Sequence, residues 1–269
     1  MNHRSFPVNR SDLSRFPAMM GIVNVTPDSF SDGGLYSDFA SALRHGRELA
    51  ADGAAIIDVG GESTRPGFRP VSAAEERRRV IPVAEALSED GLFVSIDTTR
   101  AETARATLEA GARMINDISG GLFDPEMVSL AADRRCWVCL GHIFPENATP
   151  EGLHNPYTAE GDVVEKVLTD LRERRDCFLA AGVPRERIVL DLGIGFGKTA
   201  EQNLAILDRI DSFHRLDCRL AVGVSRKRFL GGDTLQEKDR RTALWTSYLV
   251  KHRIDIIRVH QINPSSQTQ

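Results

Sequence analysis

The 269-residue chain predicts an α/β fold in which eight parallel strands and their helices close into a single (β/α)8 TIM barrel. Three observations predict it. Short apolar runs alternate with helical stretches, which implies parallel strands joined by helical crossovers. The runs are near-continuous in Ile, Val and Leu, as strands covered on both faces must be. Eight such units fit into about 250 residues, the usual size of this barrel. A doubly wound open sheet is the alternative arrangement.

The eight runs, in order, are AMMGIVN ending at Asn24, AIIDVG carrying Asp58, LFVSID ending at Asp97, MINDIS with Asn116 and Asp117, CWVCLGH to His142, RIVLD to Asp191, RLAVGVS to Ser225, and IDIIRVH with Arg258 and His260. Helices lie between them. Ser72–Glu75, Thr99–Glu102 and Thr199–Gln202 each have capping-box spacing, in which the hydroxyl accepts from the third helical N–H and the longer side chain reaches back. Gly53, Gly111 and Gly182 fall where a left-handed residue ends a helix before the next strand. The reading divides the chain into an N-terminal extension (1–17), a barrel domain (18–260) and a short polar tail (261–269).

Composition excludes several classes. The net charge is −4 and no face is dense in Lys or Arg, which argues against a sequence-independent grip on nucleic acid. The first residues, MNHRSFPVNRSDLSRF, have no apolar core and do not read as a signal peptide. No apolar run is long enough to span a membrane. Four cysteines in this length do not form a disulfide scaffold. Cys136 and Cys139 spell CWVC, but three residues apart on a strand they face opposite sides, so two core thiols are expected. The expected location is the cytoplasm.

A parallel barrel opens all its strand ends on one face, and chemistry sits there. The polar ends of these runs would be costly to bury without a partner. Each could simply cap its own loop; as a set they point to a shared ligand. Asp97, Asn116 and Asp191 are hydrogen-bonding groups from different strands, suited to a flat, nitrogen-rich heterocycle. Ser225-Arg226-Lys227 and the Arg258/His260 pair are directed at anions. Residues 258 and 260 point the same way from a strand, and Arg beside His favours a phosphate. The stretch Gly193-Ile-Gly-Phe-Gly-Lys198-Thr199 lacks the first glycine of a Walker loop, since position 192 is leucine. It reads as a tight turn bringing backbone and Phe196 close to a ligand. No histidine set has zinc spacing.

One segment remains, the loop GIVNVTPDSFSDGG (21–34). With IIDVGGESTRPG (56–67), SIDTTR (95–100), INDISGG (115–121), GIGFGK (193–198), VGVSRK (222–227) and RVH (258–260), it closely resembles the dihydropteroate synthases of folate biosynthesis. The segments run in family order. The resemblance implies a transferase that condenses p-aminobenzoate with 6-hydroxymethyl-7,8-dihydropterin pyrophosphate. The products are 7,8-dihydropteroate and pyrophosphate. Loops 21–34 and 61–67 would then be lids that keep the cation formed on pyrophosphate departure away from water.

Carried over residue by residue, the resemblance implies a pterin set of Asp97, Asn116, Asp191 and Lys227. It implies a pyrophosphate set of Asn24, Thr64, Arg258 and His260, with Asn24 reaching Mg2+. Phe30, Thr64, Pro66, Phe196 and Ser225 would surround p-aminobenzoate, where sulfonamides would compete. Asn24, Asp97, Lys227, Arg258 and His260 carry the catalytic expectation. No strong base is required, because the attacking amine is already a nucleophile. A corrinoid-linked pterin methyltransferase and a non-catalytic pterin-binding paralogue are the other readings. The sequence also departs from the family pattern. Gly141 replaces a methionine expected on the pterin, which predicts a looser ring pocket. Leu192 replaces a proline, and Gln261 an aspartate. The family dimerises through its last helices, and here the tail is short and Val250–Arg253 is bulky, so a homodimer is only a possibility.

Overall fold

The computed structural model describes residues 17–25, 35–62, 70–149 and 152–262. Eight strands pair in chain order, all parallel: β1 (Ala18–Asn24), β2 (Ile56–Gly60), β3 (Val94–Asp97), β4 (Met114–Asp117), β5 (Trp137–Gly141), β6 (Ile188–Asp191), β7 (Arg219–Val222) and β8 (Ile256–Val259). Pairing of β1 with β8, from Ala18↔Ile256 to Gly21↔Val259, closes the barrel and rules out the open sheet. Helices α1 (Leu35–Ala51), α2 (Ala73–Glu89), α3 (Ala101–Glu109), α4 (Glu126–Arg134), α5 (Val163–Ala180), α6 (Ala200–Asp208) and α7 (Leu235–Lys251) alternate with the strands. Each predicted apolar run contains a strand. His142 and His260 lie one residue beyond β5 and β8, and Ser225 lies in the loop after β7.

A strand sends successive side chains to opposite faces. One alternate set, including Met20, Ile56, Met114, Val189 and Ile256, packs together inside the barrel. Their neighbours Met19, Ile57, Ile115, Ile188 and Ile257 pack with the helices in the larger core. Two residues beyond the inner apolar set, the same faces carry Asp58, Asn116, Asp191 and Arg258. The period of two therefore stacks a polar layer on an apolar plug. Cys139 belongs to the inner cluster and Cys136 to the outer one. Burial raises both thiols, Cys136 to about 11 and Cys139 well above its ordinary value. That is the opposite of a reactive thiolate.

Helix ends follow the predicted chemistry in part. Thr199 and Gln202 form a complete capping box at α6, and Thr234 with Glu237 form another at α7. At α2, Ser72 Oγ accepts from Glu75 N, but the Glu75 carboxylate turns to Arg78 and Arg79. The box predicted at Thr99 does not form. There α3 begins one residue later, and Asp124 from the turn after β4 accepts from Ala101 N at 2.7 Å. A tertiary acceptor has replaced the local one. Gly53, Gly111 and Gly182 have φ of 107°, 105° and 98°, as helix-ending glycines require.

Candidate active site

The polar layer converges on the open, C-terminal rim. Asp58 on β2 is fully buried, and its Oδ2 accepts from Asn116 Nδ2 at 2.9 Å and from Arg258 Nε at 2.6 Å. Arg258 Nη2 donates to Asp97 Oδ2 at 2.5 Å, so one guanidinium bridges two carboxylates. Gly60, at the end of β2, lies between Asn24 and Asp97. A Cβ there would sit 3.4 Å from Asp97 Cβ and 3.8 Å from Asn24 Oδ1. From the loop after β7, the Lys227 ammonium lies 4.2 Å from the centre of the Phe196 ring. Its stem passes Gly195, where a Cβ would meet Lys227 Cδ at 3.0 Å.

Burial governs the charges here. It lifts Asp97 to about 7, against the pull of Arg258 and with help from neighbouring acids. It raises Asp191 too, opposed by the Gly193 N–H and by Lys227. Lys227 is lowered to about 8 by burial and by Arg258, while Asp191 and Asp97 resist. Burial also works against the Arg258 charge, but Asp58 and Asp97 outweigh it and raise its pKa. The rim thus offers carboxylate acceptors, the Asn116 amide and the Lys227 ammonium around an aromatic face. That set can hold the edge of a flat heterocycle bearing both N–H and carbonyl groups.

A family model described as pterin binding enzyme matches residues 20–260. The chain belongs to the pterin-binding enzyme family. It is 44% identical over 251 residues to a dihydropteroate synthase of Streptococcus pyogenes serotype M3, covering 91% of this chain and 90% of that protein. It is 42% identical over 262 residues to one of Synechocystis, covering 95% and 89%. A dihydropteroate synthase crystal structure from Clostridium difficile, determined in the presence of pteroic acid, superposes with a TM-score of 0.85 at 36% identity, covering 91% of each chain.

In this pterin-binding enzyme the turn after β6 is locked from behind. Asp191 Oδ1 accepts from Gly193 N at 2.8 Å. Lys198 Nζ reaches back to Gly193 O at 2.9 Å, Phe196 O at 3.2 Å and His142 Nδ1 at 2.9 Å. His142 is buried against Asp170 of α5, with Nε2 at 3.1 Å from Oδ2. Burial and then the Lys198 charge lower His142 to about 3, so it is neutral, and Nε2–H donating to Asp170 leaves Nδ1 to accept. Sequence reasoning placed His142 at the rim and gave Lys198 no role. Position 142 is out of phase with the inward-facing Cys139 and Gly141, which was the available signal.

Not every polar strand end meets the site. Asp117 is out of phase with Asn116 and satisfies its own turn, accepting from Ser119 N and Oγ and from Gly121 N. Arg226, grouped by sequence with the anion-directed residues, has a φ of 58° and pairs instead with Asp239 of α7 at 2.6 Å and 3.0 Å. Ser225 Oγ lies 2.9 Å from His260 Nδ1, which ties the loop after β7 to the end of β8 at the rim. At Gly141 the structure leaves no room for any side chain on the present backbone. A Cβ there would lie 2.6 Å from Ile118 Cα, because the turn after β4 packs directly on the β5 main chain. Phe30, Thr64 and Pro66 lie outside the described residues. Asp58 is a polar strand residue by sequence but is not in the ligand set that the sequence suggests. A lone aspartate inside Ile-Ile-Asp-Val was the signal for it.

Proposed function

We infer that the chain is a dihydropteroate synthase: it condenses p-aminobenzoate with 6-hydroxymethyl-7,8-dihydropterin pyrophosphate, giving 7,8-dihydropteroate and pyrophosphate. The observation that carries this is the meeting of Asp97, Asn116, Asp191 and Lys227, from four different βα units, beside Arg258. In this reading Asp97 and Asp191 accept from pterin N–H groups, Asn116 completes the edge, and Lys227 donates to a ring acceptor. Phe196 and Ser225 border the aminobenzoate, with Phe30, Thr64 and Pro66, and this is the subsite for sulfonamides. Asn24, Thr64, Arg258 and His260 face the pyrophosphate. The C–O bond to pyrophosphate breaks, the amine lone pair forms the C–N bond at the pterin CH2, and the amine sheds one proton. No side chain need be a strong base, so catalysis is positioning and leaving-group stabilisation. Product formation from the two substrates, followed chromatographically, is the test. Pterin binding without product would leave a non-catalytic paralogue.

The residues fit an Mg2+ brought in with the pyrophosphate. Asn24, at the end of β1 beside Gly60, would supply one amide oxygen to the ion. Mg2+ prefers few protein ligands plus substrate phosphates. When bound it would offset the charge gathering on the leaving group. Asn24→Ala is therefore expected to lower kcat mainly and to raise the Mg2+ concentration needed for half-maximal rate. An unchanged Mg2+ titration would remove Asn24 from this role.

The pH dependence follows from two groups. Asp97 must be ionised to accept, and its carboxyl is raised to about 7. Lys227 must be protonated to donate, and its ammonium is lowered to about 8. The kcat/KM for the pterin substrate, which reports the free enzyme, should rise up to the first value and fall beyond the second. In Asp97→Asn the acid limb should disappear from the residual activity; its persistence would assign that limb elsewhere.

The anionic pyrophosphate ester does not cross a bilayer unaided, which supports a cytoplasmic location. No helix among the described residues is long and apolar enough to cross a membrane.

A further inference from the structure

We propose that Asp58 is a positioning residue that fixes the hydrogen-bond polarity of Asn116 and the aim of Arg258, and so determines which heterocycle edge the site accepts. The inference rests on the pterin reading of the site and deepens it.

Asp58 sits one layer below the rim. Its register neighbours are Ile22 on β1 and Ser95 on β3, and it has no exposed surface. The amide of Asn116 can present either a carbonyl or an NH2 to a ligand. The two presentations differ by a half-turn of the side chain, with almost no change in shape. Asp58 Oδ2 also receives the Arg258 Nε–H, so it acts as an acceptor, and at 2.9 Å from Asn116 Nδ2 it permits only one of them. The NH2 is held toward β2, and the carbonyl is left for the ligand. A ring edge with a donor at that point is accepted, and an edge with an acceptor there sets two acceptors face to face.

The same Oδ2 holds Arg258 Nε at 2.6 Å, and the guanidinium then reaches Asp97. One oxygen thus ties a ring-holding amide to the cation nearest the ring-holding acid. Asp58 Oδ1 has no partner among the described residues, so these two bonds are the ones that restrain the carboxylate. None of this requires Asp58 to touch the substrate. Its action runs through the two residues it orients.

The test is Asp58→Asn, which keeps the shape, removes the charge and lets either amide turn. The KM for the pterin pyrophosphate is expected to rise about tenfold or more, as for loss of a charge-assisted hydrogen bond. The KM for p-aminobenzoate should stay within about twofold, because the hydrogen bonds of Asp58 run to Asn116 and Arg258 and not to Phe196 or Ser225. Calorimetric binding of pterin pyrophosphate to Asp58→Asn, Asn116→Ala and the double variant closes the cycle. The Asp58 penalty should shrink in the Asn116→Ala background. An unchanged pterin KM, equal rises in both KM values, or strictly additive penalties would overturn the role. If Asp58→Asn does not fold, Asp58→Ser takes its place; failure of both to fold while Asn116→Ala folds would mark Asp58 as a folding requirement and overturn it too. A wild-type chain that does not bind pterin pyrophosphate would instead overturn the proposed function.

Discussion

Arg258→Ala is expected to lower folding stability by about 3 kcal/mol and kcat/KM for the pterin substrate by about 10²–10³-fold. The stability loss comes from the carboxylates left behind. Asp58 is fully buried, Asp97 keeps 13% exposure, and Arg258 bridges both. Removing one partner of a buried ion pair strands the other charges, and here two acids would face each other without a cation between them. The Arg258 side chain keeps 22% exposure, which places the expected loss at the lower end of the range for buried pairs. Arg258→Lys should recover part of the stability but little of the activity, because an ammonium cannot fork between two carboxylates. Denaturant midpoints and steady-state kinetics on the three proteins check this. A stable Arg258→Ala with ordinary pterin KM would mean that the bridge positions nothing.

Gly193→Ala is the second large effect. The φ of Gly193 is 62°, and a Cβ there would come within 1.9 Å of His142 O. A main-chain oxygen cannot swing aside as a side chain can. The turn must open, which costs about 3 kcal/mol or more from the left-handed backbone and the overlap together. Opening it releases the Gly193 N–H from Asp191 and shifts the carbonyl that Lys198 holds. Misplacement of about 1 Å is enough for a loss on the order of 10²-fold in rate. Gly182→Ala is the control. Its φ of 98° is strained for alanine too, yet a Cβ there meets nothing within 4 Å. That variant should lose about 1 kcal/mol and no activity. Equal effects at the two glycines would show that backbone strain, not contact with His142, governs position 193.

Much of the molecule was legible along the chain. Each of the eight apolar runs contains a strand, and the inward-facing polar residues follow from a period of two counted from an apolar partner. Met114 to Asn116, Val189 to Asp191 and Ile256 to Arg258 each differ by one such step. The same count, applied strictly, also sends Asp117 and His142 outward, where the structure finds them. The capping box at Thr199 was legible because donor and acceptor lie three residues apart. The one expected at Thr99 was not, because Asp124 supplies a better acceptor from the next unit.

The sequence by itself determined the barrel, the rim and the residue types available there, because periodicity and turn chemistry are local. Only the tertiary structure decided who partners whom. Asp58 meets Asn116 across 58 residues and Arg258 across 200, while Arg226, beside Lys227 in the chain, turns away to α7. Long charged side chains have several rotamers of similar energy. Which one is occupied depends on the charges that barrel closure brings within reach, and no local pattern records them.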